Sequence, residues 1–219
     1  MTIANPTRSP ASQIPAQSTT RCAVHIVEDD SAIGKALTAL LAPQGHAVSL
    51  HSSAEAFLAA LPGLPPGCIL ADIRLPGMSG LDLIKRLKAI GAPHPVIVIS
   101  GHGDVDLVVE AMKSGAADYL QKPIRAARLA ETIAQAWSDQ AEALAQEAER
   151  VRCAAILKTL SGRQRDVLAG IVAGKLNKEI AHELGISVRT VEGYRADLMV
   201  KTGAKSAAEL ARIAVLAGL

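Results

Sequence analysis

Three carboxylates, a further carboxylate, a hydroxyl and an ammonium group stand where short apolar runs end. Residues 22–27 lead into Glu28, Asp29 and Asp30, residues 68–71 into Asp72, 96–99 into Ser100, and Tyr119-Leu120 into Lys122 after one residue. Carboxylates crowded into one pocket repel each other unless a hard divalent cation sits among them, and Mg2+ prefers such oxygens. Asp72, in the middle, can then attack a phosphoryl group and form an acyl phosphate. The metal and the Lys122 ammonium would neutralise the phosphoryl oxygens, and the Ser100 hydroxyl would donate a further hydrogen bond. Taken singly, each has a plainer reading. Glu28-Asp29-Asp30 could open a helix, where acids are favoured; Asp72 could cap a loop, and Lys122-Pro123 could be a surface turn. One pocket explains them together.

Such a pocket needs elements that end side by side. Apolar runs at 22–27, 47–51, 68–71, 96–99 and 119–120 alternate with amphipathic stretches at 31–41, 79–90 and 104–114 and a helix from near Arg125. Ser52-Ser53-Ala54-Glu55 has capping-box spacing and opens a further helix. Five strands alternating with five helices predict an α/β, doubly wound, five-stranded parallel sheet with helices on both faces. Ligands of such sheets sit at the carboxyl ends of the strands, where these polar residues fall.

Composition agrees. Hydrophobic residues make up 49% of the 219 but aromatics only 2%, so the cores are built from Val, Ile, Leu and Ala. Residues 21–139 carry 10 basic and 12 acidic side chains, whereas 156–219 carry 10 and 6. A basic tail behind a mildly acidic front fits a nucleic-acid partner for the tail. Cys22, Cys68 and Cys153 are an odd count without metal-ligand spacing and read as buried or incidental thiols of a reducing cytoplasm. No run of about 18 apolar residues is present to span a membrane. Residues 1–20, rich in Pro, Ser, Thr and Gln, are expected to be a disordered leader.

Residues 21–138 make the first domain, and 139–155 a helical linker without Gly or Pro. In and beside it Trp137, Leu144 and Val151 recur every seven residues, with Ala141, Ala148 and Ala155 four behind, as a coiled-coil or docking stripe would. Residues 156–219 form a small all-α domain. Ser161 with Gln164, Asn177, Ser187, and Ser206 with Glu209 are placed to cap four short helices, the first three ended at Gly174, Gly185 and Gly203. The tight Leu184-Gly185-Ile186 connection marks a helix-turn-helix.

Over residues 22–138 the chain resembles the receiver domain family, and looks closest to its FixJ branch. The strings are Val24-His25-Ile26-Val27-Glu28-Asp29-Asp30, Asp72-Ile73-Arg74-Leu75-Pro76-Gly77-Met78-Ser79-Gly80, Ser100-Gly101-His102-Gly103-Asp104-Val105 and Asp118-Tyr119-Leu120-Gln121-Lys122-Pro123. The resemblance implies a phosphoaspartate at Asp72 and Mg2+ held by Asp29, Asp72 and the Arg74 main-chain carbonyl, with Glu28 acting through water. It also implies a cis peptide before Pro123 and a switch pair of Ser100 and Tyr119. Glu28 departs from the pattern mildly, since Asp is commoner there.

Residues 160–219 resemble the LuxR/FixJ-type helix-turn-helix. Leu160-Ser161-Gly162-Arg163-Gln164-Arg165-Asp166-Val167-Leu168, Asn177-Lys178-Glu179-Ile180-Ala181 and Ile186-Ser187-Val188-Arg189-Thr190-Val191-Glu192 carry it. The recognition helix is expected at Val188–Thr202, with Val188, Val191, Leu198 and Thr202 on its buried stripe. Arg189, Glu192, Gly193 and Ala196 lie opposite, nearest base edges, while Lys178, Thr190, Arg195 and Lys201 would hold phosphates. Together the two resemblances imply a two-component response regulator rather than an enzyme. Its partners would be a sensor histidine kinase, double-stranded promoter DNA and RNA polymerase, and it would form a homodimer when phosphorylated. A constitutive DNA-binding protein with the first domain as a scaffold would not need the full Asp, Ser and Lys set. A phosphate sink would not need the C-terminal domain.

Overall fold

A computed structural model describes residues 21–101 and 103–219; the expected leader, 1–20, lies outside them. Strands β1 (Ala23–Val27), β2 (Ala47–His51), β3 (Gly67–Asp72), β4 (Val96–Ser100) and β5 (Asp118–Gln121) pair in parallel in the order β2-β1-β3-β4-β5. Helices α1 (Ser31–Leu41), α2 (Ala54–Ala60), α3 (Gly80–Ala89) and α4 (Val105–Ser114) cross between them, and α5 (Ala126–Lys158) follows β5. This is the doubly wound α/β sheet expected.

Alternation along the strands sorts side chains onto two faces. Val24, Ile26, Leu70, Ile97 and Ile99 meet Leu37 and Leu41 of α1 and Leu129 and Ile133 of α5, with Trp137 half-buried against them. On the other face Val27, Ile69, Ala71, Val96 and Val98 meet Phe57, Leu83, Ile84, Leu87 and Ala111. Each fully buried aliphatic side chain contributes roughly 1.5–3 kcal/mol. His25 is the polar residue inside β1. Its Nδ1 lies 2.7 Å from Ser49 Oγ and its Nε2 2.9 Å from the Pro65 carbonyl, and burial holds its pKa below the ordinary histidine value. Strand order reverses between β1, beyond which lies β2, and β3, beyond which lie β4 and then β5. A crevice is therefore left at the carboxyl ends of β1 and β3.

The chain divides into two compact units, the boundary falling between Ser138 and Asp139. In the second, the end of α5 packs with α6 (Gly162–Val172), α7 (Asn177–Leu184), α8 (Val188–Thr202) and α9 (Ala207–Leu216). Cys153, Leu157, Val167, Leu168, Ile180, Val191, Leu198, Leu210 and Ile213 fill its core. Ser161 and Gln164 form a reciprocal capping box, and Ser187 Oγ accepts from the Thr190 amide at 3.1 Å. Gly185 adopts φ 63°, a left-handed turn that closes α7 at no Cβ cost.

Several local expectations shift. Ser53, not Ser52, is the N-cap of α2, and Glu55 accepts from the Met78 amide at 2.8 Å instead of closing a capping box. Asn177 is the first helical residue of α7 rather than its cap; Leu176 holds the cap position and donates its amide to Glu179 at 2.7 Å. Glu209 accepts from the Lys205 amide, one residue before the Ser206 cap. Val188 is 37% exposed, unlike Val191, Leu198 and Thr202. As the first residue of α8, its side chain leans back beyond the edge of the core. Leu144 and Val151 of the heptad stripe are exposed.

Candidate functional site

Glu28 leaves β1 buried, its amide donating to the His51 carbonyl at 3.0 Å. Its Oε1 accepts from the Asp30 amide at 3.3 Å and its Oε2 from Lys122 Nζ at 2.9 Å. Asp72, at the end of β3, accepts from the Arg74 amide at 2.8 Å through Oδ1 and from Lys122 Nζ at 2.5 Å through Oδ2. One oxygen each from Glu28, Asp29 and Asp72 lies within 4.8 Å of the others. Asp30 turns away: its carboxylate caps α1 through the Ala32 and Ile33 amides. Gly80 lets α3 begin against the strand end, since a Cβ there would stand 2.2 Å from the Asp72 carbonyl oxygen.

Burial raises the Glu28 pKa and the nearby Asp72 charge adds to it, against the Lys122 hydrogen bond. Burial alone would depress the Lys122 ammonium, but its bonds to Asp72 and Glu28 outweigh this and hold its pKa above the ordinary value. Lys122 is thus a built-in counter-ion for an acidic pocket. Its amide donates to the Ser100 carbonyl at 2.8 Å, and the Lys122–Pro123 peptide is cis, as the resemblance implied. The set of hard oxygen donors fits Mg2+. Ser100 ends β4, 2% exposed. Tyr119, 45% exposed, pairs with Val98 and lines with Ser100 a groove of about 420 Å3 that includes Val105, Val109 and Met112.

In the second unit α7 and α8 form the helix-turn-helix. Arg189, Glu192, Gly193 and Ala196 share an exposed face of α8, and Val200, 84% exposed, extends it. Lys178 is exposed on α7, and Arg195 is half-buried. Thr190 Oγ1 lies 2.8 Å from Ser187 Oγ, and Lys201 Nζ donates to Gln164 Oε1 at 3.0 Å.

Residues 24–134 match the family described as response regulator receiver domain, and 158–214 match bacterial regulatory proteins of the luxR family. Transcriptional regulatory protein FixJ of Bradyrhizobium diazoefficiens is 45% identical over 92% of this chain and 98% of its own. FixJ of Azorhizobium caulinodans is 49% identical over 90% and 93%. The crystal structure of full-length FixJ from B. japonicum aligns with a TM-score of 0.59 at 45% identity, covering 91% of this chain and 98% of that one. The chain belongs to the FixJ-like response regulators. It is a transcription regulator of a two-component system, with a receiver and a LuxR-type DNA-binding domain.

For a response regulator, a receiver implies a phosphodonor kinase and a LuxR-type domain implies DNA binding. Receivers bind Mg2+ at acidic residues, and Glu28, Asp29 and Asp72 form such a cluster here. Among the described residues, no helix is long and apolar enough to cross a membrane. The response regulator also contains a contact that sequence reasoning missed. The Arg74 guanidinium forms an ion pair with Asp104, with Nε 2.7 Å from Oδ1, and Asp104 Oδ2 accepts from the Gly101 amide at 2.7 Å. Asp104 stands at the N-cap position of α4, as the sequence predicts, yet its carboxylate caps none of the helix amides. The available signal was a basic and an acidic residue following two adjacent strand ends.

Proposed function

We propose that Asp72 is the phosphoacceptor and that its phosphorylation turns on promoter binding by residues 156–219. The observation that carries this is the Asp72 carboxylate, 2.5 Å from Lys122 Nζ and clustered with the Glu28 and Asp29 oxygens. An Asp72 oxygen attacks phosphorus on the kinase phosphohistidine. The P–O bond forms as the P–N bond breaks, and the electron pair leaves with the imidazole. Lys122 turns from the carboxylates to the new phosphoryl oxygens, and the Ser100 hydroxyl donates to another. Bound Mg2+, held by Asp29, Asp72 and the Arg74 carbonyl with Glu28 acting through water, would supply further positive charge to those oxygens.

Ser100 and Tyr119 are the switch: a hydroxyl drawn toward the phosphoryl group leaves space into which the exposed ring can turn. That remodels the groove beside α4 and favours a homodimer, whose two DNA-binding domains occupy paired half-sites. Arg189, Glu192, Gly193 and Ala196 meet base edges, and Lys178, Thr190, Arg195 and Lys201 hold phosphates. The receiver spans 21–138 and the linker 139–155. The protein acts in the cytoplasm with a sensor histidine kinase and RNA polymerase, and signalling rather than turnover is the purpose of its phosphoryl chemistry.

The test is intact mass and oligomeric state after acetyl phosphate with Mg2+, for wild type and Asp72→Asn. A phosphoryl adduct and a dimer in wild type alone are expected. An adduct in neither would move the assignment to a DNA-binding protein with a receiver-shaped scaffold.

A further inference from the structure

At the opposite end of the sheet from Asp72, two thiols meet. Cys68 is the second residue of β3 and pairs in register with Val24 of β1, while Cys22 precedes β1 by one residue. Two positions apart on one strand, Cys22 and Val24 share a face, and Cys22 Sγ lies 4.0 Å from Cys68 Sγ. Neither thiol is bonded to another cysteine. We propose that Cys22 and Cys68 are a redox-active dithiol, which a hydroperoxide closes to a disulfide.

The surroundings divide the roles. The Cys68 thiol bond to Cys22 lowers the Cys22 pKa to about 6 against the effect of burial, and His46 lowers it further. His46 Nδ1 lies 3.0 Å from the Cys22 carbonyl and 4.0 Å from its Sγ, so an N–H there faces both. Cys68 is shifted the other way, first by that same bond and then by burial. One thiolate beside one protonated thiol is the arrangement of an attacking and a resolving cysteine. Cys153 in the second unit provides the contrast: burial and the Glu149 carboxylate raise its pKa.

The Cys22 thiolate attacks one peroxide oxygen. An S–O bond forms, the O–O bond breaks, and hydroxide leaves, giving a sulfenic acid. Cys68 sulfur then attacks Cys22 sulfur. The S–S bond forms as the S–O bond breaks, and the hydroxyl leaves as water with the Cys68 proton. Two thiols are oxidised by two electrons and one peroxide is reduced. The sulfurs must close to about 2.05 Å. Cys22, one residue ahead of β1 and 6% exposed, must shift for the sulfurs to meet.

Closure has a consequence for α5. Cys68 carries one hydrogen: beside a Cys22 thiol it is donated to the Ile133 carbonyl of α5 at 3.7 Å, beside a Cys22 thiolate it turns to that sulfur, and in the disulfide it is gone. Oxidation therefore removes a tie between the sheet and α5 that only the protonated dithiol makes.

The full-length protein is exposed to dilute hydrogen peroxide, unfolded, alkylated and digested without reduction. The expected product is a Cys22–Cys68 linked peptide pair lighter by two hydrogens, with Cys153 alkylated and Cys22 consumed at least about ten times faster than Cys153. In Cys68→Ser, dimedone should trap a sulfenic acid at Cys22. The wild-type result stands without that variant, should its core fail to fold. Recovery of Cys22 and Cys68 as separate alkylated peptides, or loss of all three thiols at one rate, overturns the proposal.

Discussion

A Cβ built on Gly193 would meet no atom within 4 Å, so nothing in the fold demands glycine at that point of α8. Glycine in a helix interior costs about 1 kcal/mol relative to alanine. The cost is explained if the backbone of α8 approaches the major groove there, as the proposed DNA contacts require. Gly193→Ala should raise unfolding stability by about 1 kcal/mol in a denaturant melt. It should also weaken binding to labelled promoter DNA in an anisotropy titration. Stability and affinity rising together would remove the close approach. His25 shows the opposite logic within β1, where a polar residue is kept because Ser49 and Pro65 satisfy both ring nitrogens.

The loops after β3 and β4 are joined by the Arg74–Asp104 ion pair, and the buried Asp104 carboxylate also holds the Gly101 amide. The Arg74 side chain is 66% exposed, which limits what the pair contributes through solvent screening. Removing the guanidinium still leaves a buried carboxylate with one donor fewer. Arg74→Ala should loosen the entry to α4 by on the order of 1 kcal/mol, seen as roughly fivefold faster amide exchange around 101–106. Unchanged exchange would mean that backbone bonds alone hold that loop. Elements were otherwise largely legible in the residues. Central strands of a parallel sheet are covered on both faces, so β1, β3 and β4 read as unbroken apolar runs, and the polar residue after each run marks the pocket. Spacing could not choose between Ser52 and Ser53, which offer the same hydroxyl. Nor could periodicity place Val188, because a helical stripe says nothing about where the core beneath it stops. The Arg74–Asp104 pair was hidden because it joins residues 30 apart, across two loops without regular pattern.

Across the whole chain, the acidic balance of residues 21–139 and the basic balance of 156–219 assign the electrostatic work of DNA binding to the tail. If phosphorylation pairs two such tails on one promoter, about twice as many phosphates are neutralised. The slope of log affinity against log salt concentration should then be about twice as steep for the phosphorylated protein as for the unphosphorylated one. Equal slopes in anisotropy titrations would show that the same number of tails engages in both states. The chain also carries its own optical label. Trp137 is the sole tryptophan, and it sits on α5 half-buried against the sheet. Indole emission therefore follows the docking of α5 in the first unit and is silent about the second, whereas far-ultraviolet ellipticity sums the helices of both. Melting curves recorded by the two signals would superimpose if the units unfold together and separate if they do not, with no dye, tag or substitution required.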